Sequence, residues 1–134
     1  MTMTMTTYLA DSSAWIDFLR RPTARLKDFF LDEEVAHSEP VAMEVLSGAR
    51  DGSEIERVQR MLLGTPLLKF DSASDFGAAT ELRRSALRQR LRVGVIDCMI
   101  LAVAARHGVP LLTLDRGQAK LATRHGIDAR LLGD

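Results

Sequence analysis

The sequence predicts a three-layer α/β/α sandwich built around a mostly parallel central sheet, and three observations carry that expectation. Short strand-like apolar segments recur between longer stretches whose apolar residues have helical spacing. The clearest strand, residues 109–114, reads VPLLTL and is nearly continuous in apolar side chains, as a parallel strand covered on both faces requires. A chain of 134 residues with 46% hydrophobic residues is long enough to bury a core and short enough for one domain spanning residues 1–134.

The first strand is expected at residues 6–10, with the preceding Met-Thr alternation as its lead-in. Asp11 follows, and Ser12 or Ser13 is placed to cap a helix running through Trp15, Ile16 and Leu19. Pro22 interrupts that pattern, so a second helix is expected from about Thr23 to residue 31, with Leu26, Phe29 and Phe30 on its apolar face. Residues 35–38 make a short second strand. Pro40 opens a helix striped by Val41, Val45 and Leu46 and closed by Gly48, and Ile55, Val58, Met61 and Leu62 repeat the spacing before Gly64 and Pro66. Residues 67–70 are a third strand candidate, and residues 74 to about 89 a helix with a basic polar face. A later helix carries Ile96, Ile100, Val103 and Ala104, with Gly108 as its left-handed cap. The strand at 109–114, a final helix at about 118–124 and an edge strand at 129–132 complete the chain. Right-handed crossovers would cover both faces of such a sheet.

Eighteen basic residues balance eighteen acidic ones, so the net charge gives no sign of a polyanionic partner; what matters is where the charges sit. One cysteine cannot form an intrachain disulfide, and no apolar run reaches the roughly 18 residues that span a bilayer. A soluble protein of a reducing compartment, the cytoplasm, with no membrane partner is therefore expected. The amino terminus also lacks the basic and apolar regions of a secretory signal.

Four acids stand out. Asp11 and Asp115 each follow an apolar strand candidate, in YLAD and PLLTLD, and parallel strands would carry both carboxylates to one edge of the sheet. Asp97 lies near the start of a very apolar helix, GVIDCMILAVAARHG, and Glu44 lies in a similarly apolar turn, PVAMEVLSGAR. Acids are seldom buried without partners, which separates these four from the other fourteen. Singly, each has an ordinary role: Asp11 and Asp97 as helix caps, Asp115 as a turn residue, Glu44 in an ion pair with an arginine. Jointly, four carboxylates at one edge raise one another's proton affinity unless a cation offsets the field. Mg²⁺ or Mn²⁺ suits an all-oxygen donor set and keeps waters in its coordination sphere.

That constellation points to metal-assisted hydrolysis of a phosphodiester by an activated water. Asp11 and Asp97 are the expected direct ligands. Glu44 and Asp115 bind a second ion, ligate through water or orient the nucleophile, roles that the spacing does not separate.

With these segments in view, the chain resembles the PIN-domain ribonucleases over essentially its whole length, and among them the VapC-type toxins of bacterial type II toxin–antitoxin pairs. The resemblance is carried by DSSAWIDFL with Asp11, PVAMEVLSGAR with Glu44, and GVIDCMILAVAARHGVPLLTLD with Asp97 and Asp115, in that order. It implies a PIN-like sandwich and a metal-dependent endoribonuclease cleaving structured RNA, such as tRNA or rRNA, to 5′-phosphate and 3′-hydroxyl ends. It implies further that Asp11, Glu44, Asp97 and Asp115 form the acidic quartet, that Ser13 is the small hydroxyl beside the first acid, that a cognate VapB-like antitoxin blocks the groove, and that the chain forms a homodimer. One departure is visible. Where the family commonly continues after the fourth acid with a further acid and Phe, this chain reads DRGQAKLA, so Gly117 and Gln118 replace that pair.

The segment ELRRSALRQRLR, residues 81–92, has five arginines against one glutamate. Arg83, Arg84, Arg88, Arg90 and Arg92 are candidates for contacts with RNA phosphates if the segment borders the acidic groove; otherwise they form a solvated helical face. His37, His107 and His125 lack metal-ligand spacing and suit surface or helix-end roles. Cys98 has no paired His or second Cys and reads as a small core residue, and Trp15, Phe18, Phe29 and Phe30 read as helix packing. A phosphatase using Asp11 as nucleophile is disfavoured because Ser13 stands where a D-x-D motif needs its second acid. A phosphoacceptor signalling domain is disfavoured because only three lysines are present and Lys69 precedes, rather than follows, the most obvious terminal strand. Two alternatives stay open: a non-catalytic RNA- or protein-binding module of the same fold, and a general metal-dependent nuclease that also cuts DNA.

Overall fold

A computed structural model describes residues 5–21 and 25–133. The lead-in at residues 1–4, the Pro22 break and the expected helix start at Thr23 lie outside the described residues. In chain order the elements are β1 (Thr7–Ala10), α1 (Ser12–Arg20), α2 (Leu26–Asp32), β2 (Glu34–Ala36), α3 (Glu39–Ser47), α4 (Gly52–Leu63), α5 (Ser72–Arg88), α6 (Val95–His107), β3 (Leu111–Thr113), α7 (Arg116–Arg124) and β4 (Ala129–Leu131). The strands form one sheet in the order β2-β1-β3-β4, every pair parallel. Leu9 stands in register with Ala36 on one side and Leu111 on the other, and Leu111 with Ala129.

The chain leaves β1 toward β2 and then returns past β1 to β3 and β4. Right-handed crossovers therefore place α1 and α2 on one face of the sheet and α6 and α7 on the other, giving the α/β/α sandwich that the sequence predicts. The two inner strands must be apolar throughout, and Leu9, Ala10, Leu111 and Leu112 are wholly buried. On the α1 face, buried Trp15 packs against Phe30 at 5.4 Å between ring centroids, and Phe18 meets the same ring at 5.0 Å. On the other face α6 buries Cys98, Ile100, Leu101, Val103 and Ala104, so apolar residues occupy most of its circumference. It lies between the sheet and α5. Among the described residues no helix is long and apolar enough to cross a membrane.

The structure corrects several sequence boundaries. The strand expected at residues 67–70 is a single parallel bridge, in which Leu67 pairs with His37 beyond the end of β2. His37 donates its N–H to Pro66 O and accepts from Leu68 N, after which Glu39 Oε1 takes the N–H of Phe70 and the chain turns toward α5. β3 is shorter than residues 109–114 because Val109 N–H is spent on Ala104 O, closing α6 around Gly108 at φ 64°. Asp71 is the residue before α5, and the Asp75 carboxylate accepts the Asp71 N–H, which moves the start of that helix ahead of Ser74. The helix after β3 likewise begins at Arg116, before the expected residue 118, because Asp115 caps it.

An ion pair between a buried carboxylate and an exposed guanidinium joins α5 to α6. Asp75 on α5 is 1% exposed at its side chain and accepts both Arg106 Nε and Nη2 from α6, at 2.8 and 3.0 Å. Arg106 Nη2 also donates to Lys69 O. Removing the cation leaves the buried Asp75 carboxylate with the Asp71 N–H but no counter-charge, which costs more than losing a pair between two exposed side chains. Arg106→Met is therefore expected to lower the urea midpoint at pH 7, and an unchanged midpoint would mean that Asp75 is satisfied without its partner.

Candidate functional site

Asp11 and Asp115 arrive at the same edge because the strands before them are neighbours pointing the same way. Leu112 O accepts the backbone N–H of Asp11 at 2.9 Å, which aligns the ends of β1 and β3. This is also where the strand order reverses direction, the position at which open parallel sheets leave a crevice. Each acid then starts a helix. Asp11 caps α1 by accepting Ala14 N–H at 2.9 Å, so Asp11 takes the role expected of Ser12 or Ser13. Asp115 caps α7, its Oδ1 accepting from Gly117 N and Gln118 N at 2.9 and 3.2 Å. Glu44 comes from α3 and Asp97 from the first turn of α6, where its Oδ2 accepts Gly94 N–H at 3.3 Å. The cap roles are therefore real and coexist with convergence of the acids.

Short hydroxyl side chains lock this edge together. Ser13 Oγ donates to Asp11 Oδ1 at 2.7 Å and accepts Leu114 N–H at 3.0 Å, bridging the two strand ends. Thr113, wholly buried, donates its hydroxyl to Asp11 Oδ2 and accepts the Asp115 N–H at 2.9 Å. Ser12 Oγ donates to Glu44 Oε1 at 2.5 Å, so a hydroxyl rather than an arginine meets that carboxylate. Gln118 is also wholly buried: its amide oxygen lies 3.0 Å from Thr113 Oγ1, and its amide nitrogen donates to Asp97 O at 3.3 Å. The residue standing where the resemblance expects Phe thus packs the last helix as a polar brace. At Gly117 a Cβ would stand 3.3 Å from both Arg92 O and Asp115 Oδ1, so the close approach of the residue 92–93 backbone favours glycine where the family carries an acid. Thr113 and Gln118 escape sequence reasoning as site residues. The available signal was a lone Thr in the otherwise apolar run before Asp115.

The four acids share one field. Burial, then the charge of Asp115, pushes the Asp97 carboxyl up to about 6; the Gly94 N–H opposes the rise, while Glu44 and Asp11 add to it. Asp11 is also raised, mainly by burial, against the lowering effect of its bonds from Ser13, Thr113 and Ala14 and with a further push from Asp115. The ion pairs found among the described residues all lie elsewhere: Asp17 with Arg21, Glu54 with Arg50, Asp75 with Arg106 and Asp128 with Arg130. Among the described residues no three His, Cys, Asp or Glu side chains stand close enough to grip one ion together. The four acids lie near enough for the other three charges to raise Asp97.

The arginine segment divides. Arg83 is half-buried and donates to Val93 O at 3.3 Å, and Arg92 O abuts Gly117, so both sit at the margin of the acidic edge. Arg84 borders an apolar hollow with Phe76 and Val95. Arg90, at φ 55°, occupies the left-handed position that closes α5, where Leu91 N–H reaches Ala86 O. Arg88 and Arg90 flank Gln89, whose side chain bonds Ser85 and Arg124, so they follow the carboxyl end of α7 rather than Asp115. His37 bonds Thr65 and His125 bonds Ser85 near the end of α7, away from the acids. Cys98 is buried, and burial followed by the charge of Asp97 pushes its thiol up to about 11, which removes it as a nucleophile.

Residues 8–124 match the PIN domain family. The chain is 37% identical over 114 residues to Ribonuclease VapC11 of Mycobacterium tuberculosis and to VapC ribonuclease Mb1587 of Mycobacterium bovis; the match covers 80% of this chain and 85% of each relative. The fold is similar to that of DNA-bound VapBC from Salmonella typhimurium, with a TM-score of 0.75 at 20% identity, covering 96% of this chain and 100% of that one. It is also similar to VapBC-1 from nontypeable Haemophilus influenzae, with a TM-score of 0.78 at 12% identity, covering 95% and 98%.

The raised Asp97 carboxyl makes stability depend on pH in the metal-free protein. Between about pH 4 and 6 the folded state holds a proton that the unfolded chain has released, so stability falls as pH rises through that window and stays lower above it. Asp97→Asn is therefore expected to stabilise the metal-free protein at pH 7.5 by about 1–3 kcal/mol, with a much smaller gain at pH 4. Urea denaturation of both proteins at the two pH values tests this. A variant less stable at pH 7.5 would show that the repulsion is absent.

Proposed function

The chain belongs to the PIN-domain family and is closely related to the VapC-type toxins of toxin–antitoxin systems, and from that premise we propose that it is a Mg²⁺- or Mn²⁺-dependent endoribonuclease. Family membership supports a nuclease-type toxin role in general. One observation supports it above the rest: carboxylates from four separate elements face one another at the strand-order reversal with no Arg or Lys pairing any of them among the described residues. Helix caps at the surface would not need to raise one another's proton affinity.

The donor set fits a hard divalent cation. All the donors are oxygens, and the field that raises Asp97 is the one a cation relieves. Asp11 and Asp97 would hold it directly, with Glu44 and Asp115 acting through water, at a second ion or on the nucleophile. When bound, such an ion supplies Lewis acidity toward phosphate and lowers the pKa of water. The chain's own contribution is positioning. Ser13 and Thr113 orient Asp11, Ser12 orients Glu44, and the α7 amino terminus fixes Asp115. Arg83 and Arg92 border the acids and, with Arg84, Arg88 and Arg90 further along, would meet RNA phosphates.

The same reading includes a cognate antitoxin of VapB type, a structured RNA such as tRNA or rRNA as target, products with 5′-phosphate and 3′-hydroxyl ends, and a homodimer. Purified, antitoxin-free protein is expected to cleave a mixed cellular RNA pool with Mg²⁺ or Mn²⁺, to stop on chelation and to resume when the ion is restored. Asp97→Asn, which keeps shape but removes a charge, is expected to lower the rate at least about 100-fold, read by mapping fragment ends. Cleavage that survives chelation would sink the metal mechanism, and equal digestion of matched single-stranded DNA would favour the general nuclease.

A further inference from the structure

A cavity of about 550 Å³ lies beside the acids rather than over them, between α1, the start of α2, the start of α7 and the end of β4. That volume lies in the range of small-ligand sites. Its wall is continuous with the acidic edge. Ala14 follows Ser13, Leu114 precedes Asp115 and Arg116 follows it, and the Ser13 hydroxyl ties Leu114 N to Asp11. Three guanidiniums, Arg21, Arg25 and Arg116, face one carboxylate, Asp17. Asp17 accepts both Arg21 Nε and Nη2, at 2.9 and 2.6 Å, which fixes that guanidinium's plane. Arg116 is exposed and has no ion pair among the described residues. Behind the arginines the floor is apolar, with Leu26 buried and Leu131 41% exposed.

An apolar floor beneath guanidiniums matches the two halves of a nucleotide, a flat base with little need of hydrogen bonds and a phosphate anion. We infer that, given the RNA substrate proposed above, this cavity is a subsite for a nucleotide flanking the scissile phosphate, its base against Leu131 and Leu132 and its phosphate on Arg25 and Arg116. The placement meets an electrostatic need. Four carboxylates repel a phosphodiester, and cations one residue away restore attraction without neutralising the acids. The arginines of residues 83–92 lie beyond Gly117, so this cavity adds a second group of cations.

The test separates this subsite from the catalytic reading. Binding of a mixed-sequence single-stranded RNA oligonucleotide is measured by fluorescence anisotropy in EDTA across a KCl series for wild type, Arg116→Gln, the Arg25→Gln/Arg116→Gln pair, and Arg60→Gln, an exposed arginine on α4 outside the cavity. The double variant is expected to bind about tenfold more weakly at low salt and to reduce the slope of log affinity against log salt by about 1.4, with half that reduction for Arg116→Gln and none for Arg60→Gln. Manganese-dependent hydrolysis of bis(p-nitrophenyl) phosphate is measured beside it, and Arg60→Gln, outside the cavity, should leave it unchanged. A wild-type slope in the double variant overturns the subsite, as does an equal reduction from Arg60→Gln. If wild type binds RNA through these arginines but hydrolyses neither substrate with Mg²⁺ or Mn²⁺, the nuclease reading fails while the subsite stands.

Discussion

Parallel pairing of β1 with β3 is the constraint on which the rest of the molecule depends. It brings Asp11 and Asp115, over a hundred positions apart in the chain, to adjacent strand ends on the same side of the sheet. Both strands lie inside the sheet and are covered by helices on both faces, so their side chains must be apolar and polar chemistry is confined to the ends. Because β1 runs out toward β2 and the chain returns to β3, no crossover passes over the gap between these ends. The remaining acids come from the helices that flank that gap, α3 and α6.

Holding four carboxylates there works against stability. Burial raises the proton affinity of Asp11 and Asp97, and each nearby charge adds to the repulsion. The opposing contribution comes from oriented donors: Ser13, Thr113 and the Ala14 N–H on Asp11, and the first N–H groups of α7 on Asp115. These bonds stabilise ionised carboxylates and fix their geometry. Gln118 extends the same device by tying Thr113 on β3 to the Asp97 carbonyl on α6. The result is a rigid acidic edge whose residual repulsion a divalent cation is suited to relieve.

The surroundings of that edge are asymmetric. On the α6 side the loop at residues 90–94 presses its backbone against Gly117, bringing Arg92 near the acids while Arg88 and Arg90 run on toward the far end of α7. On the α1 side Arg21, Arg25 and Arg116 line an open cavity whose wall includes Leu114 and Arg116, the chain neighbours of Asp115. A polyanion approaching the edge meets positive charge on both flanks and negative charge at the centre. The near-zero net charge of the whole chain conceals that arrangement.

Local sequence determined what depends on neighbours along the chain. The apolar run before Asp115, the helical spacing around Ile96 and Ile100, and the left-handed cap at Gly108 follow from side-chain periodicity and backbone sterics, and all three are present in the structure. The sandwich with its parallel sheet followed from the same patterns. Tertiary structure alone decided where strands end and which hydroxyl meets which acid. Residues 67–70 have strand-like composition, but only Leu67 pairs with its neighbour before the chain turns away. Ser12 serves Glu44 rather than the helix cap because α3 packs against α1, and buried Gln118 finds an acceptor for its amide nitrogen in the Asp97 carbonyl. These outcomes depend on partners brought together by folding, and no pattern of spacing along a chain encodes the distance between two side chains that meet only across the sheet.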